Sequence, residues 1–215
     1  TAFPGDGAVF LYENKRGKPA GIIPIGTKAL ACAFKNELLG ILTSRSFLIY
    51  KKIDDKYESV GKVRLKGEGL DVSWSKSLIF GTSEGIQIEN KVMKVGRVEM
   101  VKEGALIAAS TLGGLLVTDG EREVLRKDGL EITGIAWLGD LLAVGDRGGR
   151  RVIVIDVGKD EIVKQFNFTG VVRSFDWHTI MVVAQRRKVQ GYFLLPEVSD
   201  VSTKTPGLQG PYGGH

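Results

Sequence analysis

Residues 132–155 read ITGIAWLGDLLAVGDRGGRRVIVI. An apolar stretch ends in a large residue, Trp137. A Gly139-Asp140 break follows, then a second apolar run, Leu141 to Asp146. A glycine- and arginine-rich turn then leads to a third run, Val152 to Ile155. The runs are four to seven residues long, rich in Val, Ile and Leu, and bounded by turn formers. That composition predicts short strands joined by tight turns, not a helix.

The same three-run unit recurs. Leu70–Trp74 is followed by Leu78–Thr82 and Ile86–Ile88. Val172–Trp177 is followed by Ile180–Ala184 and Val189–Leu194. Leu30–Phe34 leads to Leu38–Thr43 and Phe47–Tyr50, and Val98–Val101 leads to Leu106–Ala109 and Leu115–Thr118. The residues closing the first run of each unit are Phe34, Trp74, Val101, Trp137 and Trp177, spaced by 40, 27, 36 and 40 residues. A four-stranded propeller blade takes ~40–45 residues. The 27-residue interval requires tight turns, and Asn90-Lys91 is expected to supply one.

The pattern resembles the broad β-propeller class of WD40 and YVTN-like repeats. The resemblance covers roughly residues 7–195 and is architectural only. The Gly-His and Trp-Asp signatures of WD40 blades are absent, so no functional residue transfers. It implies an all-β chain of about five blades. Ala8–Tyr12 and Ile22–Ile25 look like an outer hairpin without inner strands, and the last unit lacks its fourth strand. The terminal strands are therefore expected to pair and close the ring. The propeller domain is placed at residues 1–195, with an irregular tail at 196–215 that carries three prolines and several glycines. The three tryptophans at the repeat positions, Trp74, Trp137 and Trp177, are expected to pack between blades.

Composition fits a folded, water-exposed chain. Of 215 residues, 43% are hydrophobic and 26% charged, and mean hydropathy is +0.01. No run approaches the ~18 apolar residues of a membrane helix, and Thr1–Gly7 lacks the basic and apolar regions of a signal peptide. A cytoplasmic, heat-adapted protein without membrane contact is expected. The lone cysteine, Cys32, sits in an apolar run and reads as a small buried hydrophobe. It excludes an internal disulfide and a multi-cysteine metal site.

Chemistry is sparse. There is no P-loop, no His-Glu-x-x-His and no Gly-x-Ser-x-Gly. His178 has no second ligand nearby in sequence. Asp71, Glu131 and Asp176 lie on or beside innermost strands, where a channel-mouth hydrolase or lyase would place carboxylates. Without a partner histidine they do not make a catalytic set, and neither an enzyme nor a cofactor is expected.

Charge is the functional signal. The net charge is +5 and the pI about 9.2. In a propeller, the turns between second and third strands and the links between blades open on one face. That face would collect Lys28, Arg45, Lys66, Arg97, Arg126, Lys127, Arg147, Arg150, Arg151, Arg173, Arg186, Arg187 and Lys188, against Glu68, Glu84, Asp128, Glu131 and Asp146. On the opposite face lysines and carboxylates balance. Clustered like charges repel and gain a fold nothing without a partner, and arginine's planar fork suits phosphate or carboxylate. Arg45, Arg147, Arg150, Arg151, Arg186, Arg187 and Lys188 are the contact candidates. The expected partner is an acidic protein surface or a ribonucleoprotein. Direct binding to RNA or DNA phosphates is the alternative, although only Phe47 and Phe168 lie near the basic turns to stack on bases.

Overall fold

A computed structural model describes residues 1–12, 19–54, 56–177, 180–185 and 189–193. Every regular element among them is a strand. The first sheet holds β1 (Ala2–Pro4), β2 (Asp6–Tyr12) and β3 (Pro19–Lys28). The second holds β4 (Ala31–Lys35), β5 (Leu38–Leu42), β6 (Ser46–Ile53) and β7 (Lys56–Arg64). The third holds β8 (Gly69–Trp74), β9 (Leu78–Thr82), β10 (Ile86–Ile88) and β11 (Lys91–Met93). The fourth holds β12 (Val98–Glu103), β13 (Ile107–Thr111), β14 (Gly114–Thr118) and β15 (Glu123–Asp128). The fifth holds β16 (Ile132–Leu138), β17 (Leu141–Asp146), β18 (Arg151–Asp156) and β19 (Glu161–Asn167). The sixth holds β20 (Ser174–Trp177), β21 (Ile180–Ala184) and β22 (Val189–Phe193).

Each sheet is an antiparallel meander, and the first strands β4, β8, β12, β16 and β20 pack in succession. The five units expected from the repeat are the second to sixth sheets. The N-terminal sheet gains a third strand, β1, in which Phe3 pairs with Phe10. The expected pairing between terminal strands is not among the described pairings: β1–β3 and β20–β22 form separate sheets. The short interval closes with a two-residue turn at Glu89-Asn90, one position earlier than expected, because Ile88 pairs with Lys91. Glu89 takes the left-handed conformation there (φ 51), which a two-residue hairpin turn requires.

The core is a series of layers, one between each successive pair of sheets. Strand periodicity of two explains this, since neighbouring side chains point to opposite faces. In β17, Leu142 and Val144 join Ala108, Leu115 and Val117 of the fourth sheet. The intervening Ala143 joins Trp177, Met181 and Val183 of the sixth. β18 divides the same way: Ile153 and Ile155 face one layer, Val152 and Val154 the other. Middle strands are therefore apolar at nearly every position, because both faces are covered.

The three tryptophans at the repeat positions do pack between sheets. Trp74 meets Phe47 edge-to-face with ring centroids 5.3 Å apart. Trp137 donates from Nε1 to the carbonyl of Lys102 at 3.2 Å, and its indole lies over Gly104, where a Cβ would collide with the ring. Trp177 is 4% exposed. Phe34 departs from the pattern at 47% exposure. Its neighbour across the layer is the three-residue β1, too short to cover a phenyl ring.

Polar side chains clasp the third sheet to the fourth. Asp71 accepts from the Val101 amide at 2.9 Å, and the Ser73 hydroxyl accepts from the Glu103 amide at 3.0 Å. The Glu103 carboxylate accepts from the Ser77 amide at 2.9 Å and the Ser75 hydroxyl at 2.6 Å. Burial pushes the Asp71 carboxyl above its ordinary value, against the hydrogen bond from Val101. For Glu103 burial also opposes ionisation, but the Ser75 and Ser77 hydrogen bonds outweigh it and hold the group below the usual range.

Two outcomes follow from these contacts. Gly104→Ala should destabilise the chain by about 1–3 kcal/mol in urea unfolding, because the added methyl must displace Trp137. Asp71→Ala should cost about 1–3 kcal/mol by leaving the Val101 amide unpaired, whereas Asp71→Asn keeps an acceptor and should cost less. Because the Asp71 carboxyl is raised on folding, its ionisation burdens the fold above the folded value and that burden is relieved on acidification. Wild type should gain stability relative to Asp71→Asn as pH falls from neutrality toward the unfolded value of ~4; a pH-independent difference would contradict this.

Candidate docking face

Hydrogen bonds establish which turns share a face. The link after β7 bonds to the β5–β6 turn of its own sheet, through Leu65 N to Arg45 O at 3.1 Å and Gly69 N to Ser44 O at 2.8 Å. It also bonds to the β9–β10 turn of the next sheet, through Ser83 N to Glu68 O at 2.9 Å. The pattern repeats with Gly129 N to Gly113 O, Arg147 N to Glu131 O and Arg173 N to Ala184 O. Links and second-to-third turns thus form one laced surface, as the sequence predicts. Arg45, Arg147, Arg150 and Arg173 contribute backbone groups to that lacing, so their positions are fixed by the fold.

The opposite surface is made by first-to-second turns. There the Lys35 ammonium donates to the Lys76 carbonyl at 2.8 Å, and Lys76 donates to the Gly104 carbonyl at 3.3 Å. Beside it, at third-to-fourth turns, Arg122 pairs with Asp119 at 3.1 Å and Lys159 with Asp156 at 3.2 Å.

On the laced face the candidates separate. Arg45, Arg147 and Arg150 are exposed, and no acid of the described residues pairs with them. Arg150 adopts a left-handed backbone (φ 48) that closes the β17–β18 turn. Arg151 is different. Its Nε donates to the Asp146 carboxylate at 2.9 Å, and Asp146 is 3% exposed and also receives the Glu131 amide at 3.3 Å. Arg151 braces the turn that displays Arg147 and Arg150. Arg186, Arg187 and Lys188 lie outside the described residues, as does His178.

The charge excess is smaller than turn counting suggests. Arg97 pairs with Glu99 at 3.3 Å, Arg126 with Glu123 at 2.6 Å, and Lys127 with Asp160. Glu99 and Glu123 come from β12 and β15, and Asp160 from the β18–β19 turn of the neighbouring sheet. The exposed acids Glu68, Glu84, Asp128 and Glu131 also share the surface. One contributor was overlooked. Arg64 ends β7, is exposed, and joins Arg45, Ser44, Leu65, Gly67 and Glu68 in lining a cleft of about 550 Å³. Its position, immediately before a counted link, was the available signal.

The readings that need chemistry find little support. Asp71 is engaged by the Val101 amide, Glu131 is exposed on a link, and the side chain of Asp176 is not among those described. Among the described residues no three His, Cys, Asp or Glu side chains are grouped to hold a metal. A second cavity of about 760 Å³ is lined by Tyr12, Phe34, Tyr57, Lys52 and Lys56 among others, with no carboxylate or histidine among the described residues of its wall. Cys32 is half-buried against the first sheet, and burial pushes its thiol up to about 11. Phe47 is fully buried, which removes one of the two aromatics offered for base stacking.

No family model matches the chain, and no curated protein matches it. Solved structures do. The chain is similar to one from the "Crystal Structure of Mitotic Checkpoint Complex", with a TM-score of 0.73 and 13% identity over 86% of this chain. It is also similar to "KlHsv2 with loop 6CD replaced by a Gly-Ser linker", with a TM-score of 0.63 and 14% identity over 83% of this chain. The chain spans 66% and 69% of those two chains. Likeness at such identity carries the architecture and nothing finer: the chain has a WD40-like β-propeller fold.

Proposed function

We propose that the chain is a non-catalytic interaction scaffold that docks an acidic protein surface through its laced, arginine-bearing face. The observation that carries the reading is the state of Arg45, Arg64, Arg147, Arg150 and Arg173. All are exposed, and no acid of the described residues satisfies them, while Lys35, Lys76, Arg122 and Lys159 of the opposite face are engaged with carbonyls or carboxylates. A guanidinium at a fixed backbone position presents a planar fork of donors, so that only its side chain remains to be ordered on binding. Glu68, Glu84, Asp128 and Glu131 set limits on the partner, since an unbroken acidic tract would meet repulsion at those points.

A protein partner is favoured over nucleic acid by the burial of Phe47 between Trp74 and Phe80. A nucleic-acid face of this kind would bind through phosphates alone and lose affinity steeply with salt.

The test is capture from native extract by immobilised protein, with and without nuclease, beside the triple variant Arg45→Glu/Arg147→Glu/Arg150→Glu. Retained partners should survive nuclease and should fall at least ~tenfold with the variant, given the ~2–5 kcal/mol attached to truncating a paired interfacial charge. The substitutions are exposed, so the thermal midpoint should stay within a few degrees. Partners lost with nuclease, or retained by the variant, would contradict the proposal.

A further inference from the structure

The cleft of about 550 Å³ beside the β5–β6 turn has two guanidiniums in one wall, Arg45 from the turn and Arg64 from the end of β7. Strand pairing brings them together. Ser46 lies opposite Arg64 in the β6–β7 ladder, and the Leu65 amide donates to the Arg45 carbonyl at 3.1 Å. Ser44, Leu65, Gly67 and Glu68 complete the wall. The backbone around the cleft is held from several sides. Thr43 Oγ1 accepts from the Ser46 amide at 3.1 Å and closes the turn. Gln87, 1% exposed on β10 of the next sheet, spends its side-chain amide on the link. Its Oε1 accepts from Lys66 N at 2.7 Å, and its Nε2 donates to the Arg64 carbonyl at 3.3 Å. Gly67 has a φ of 98°, and a Cβ there would lie 3.0 Å from the Ser83 hydroxyl oxygen, so the link bends where glycine alone fits.

Two like charges in one concave wall repel, and the low-dielectric protein behind them strengthens the repulsion. The fold does not neutralise them. Glu68 is exposed in the same wall, yet neither arginine pairs with it or with any other acid of the described residues. The link's third cation is already engaged, since the Lys66 ammonium donates to the Asn90 carbonyl. Elsewhere on the face Arg97, Arg126, Lys127 and Arg151 each hold a carboxylate. The larger cavity has no arginine among the described residues of its wall.

We propose that the Arg45–Arg64 cleft binds a phosphomonoester, presented by a phosphorylated side chain of the docking partner; this rests on the reading of the face as a docking surface. Charge and geometry favour a phosphoryl group over a carboxylate. A carboxylate offers two oxygens, which one guanidinium fork fills. A phosphomonoester carries about −1.5 to −2 charge at neutral pH and three acceptor oxygens, enough to engage both forks. Glu68 works against any anion, which penalises weakly charged groups and leaves the site to a dianion.

Chemical-shift titration of the backbone amides of the 215-residue chain tests this at constant ionic strength, with N-acetyl-phosphoserine amide, acetate and dimethyl phosphate as probes. The phosphoserine probe should shift Ser44, Arg45, Leu65 and Gly67 and saturate in the millimolar range, and the two monoanions should bind at least ~tenfold more weakly. Arg45→Gln and Arg64→Gln should each weaken the phosphoserine probe at least ~tenfold. Arg173→Gln, exposed on the same face, should leave it unchanged, and Glu68→Gln should tighten it about threefold. Binding should weaken as pH falls through ~6, where the phosphomonoester takes up a proton. Equal responses to acetate, or shifts that Arg45→Gln and Arg64→Gln leave intact, would overturn the proposal. The titration reads the cleft without the partner. Capture lost in the triple variant with no phosphoserine binding would overturn the phosphomonoester site and leave the docking reading standing. Phosphoserine binding with capture unimpaired in that variant would uphold the cleft and overturn the docking reading.

Discussion

A four-stranded sheet of five-residue strands has two faces and cannot bury either alone. Everything in this structure follows from that constraint. Each sheet is covered by its neighbours, so the apolar residues of one strand are shared between two layers. Stability is therefore a property of successive interfaces rather than of any one sheet. Where large rings meet small residues, as with Trp137 over Gly104, the fit is tight enough that one methyl disturbs it. Where backbone amides would be left without partners between sheets, Asp71, Ser73 and Glu103 supply acceptors.

The same constraint organises the surface. Strands pinned at both faces leave the turns free to vary, and turns are where side chains reach solvent. Hydrogen bonds between links and second-to-third turns gather Arg45, Arg147, Arg150 and Arg173 on one side. The buried Asp146 shows how the scaffold supports display. It holds Arg151 and the Glu131 amide, which fixes the turn that carries Arg147 and Arg150.

Much of the fold was legible in the sequence because a strand covered on both faces leaves an unmistakable short apolar run. The units beginning at Leu30, Leu70, Val98, Ile132 and Val172 all appear as sheets, with boundaries shifted by up to three residues. β1 was not legible. Ala2-Phe3-Pro4 has no run of its own and becomes a strand only by pairing with β2. The turns of the docking face were legible through the repeat, but its charge balance was not. Pairing of Lys127 with Asp160 depends on side-chain reach between neighbouring sheets, which a one-dimensional sorting of turns does not contain. The exposure of Phe34 has a related cause: the repeat marks a position in the strand, not the extent of the strand it faces.

Native-state hydrogen exchange tests the interdependence of the sheets most directly. Amides of the inner and middle strands, such as Ile79, Val101, Ala109 and Val144, belong to three different sheets. If the sheets are stable only through one another, these amides should exchange with a common free energy, within about 1 kcal/mol of that for global unfolding. Exchange of one sheet at a much lower free energy, while the sheets on either side keep full protection, would contradict the account.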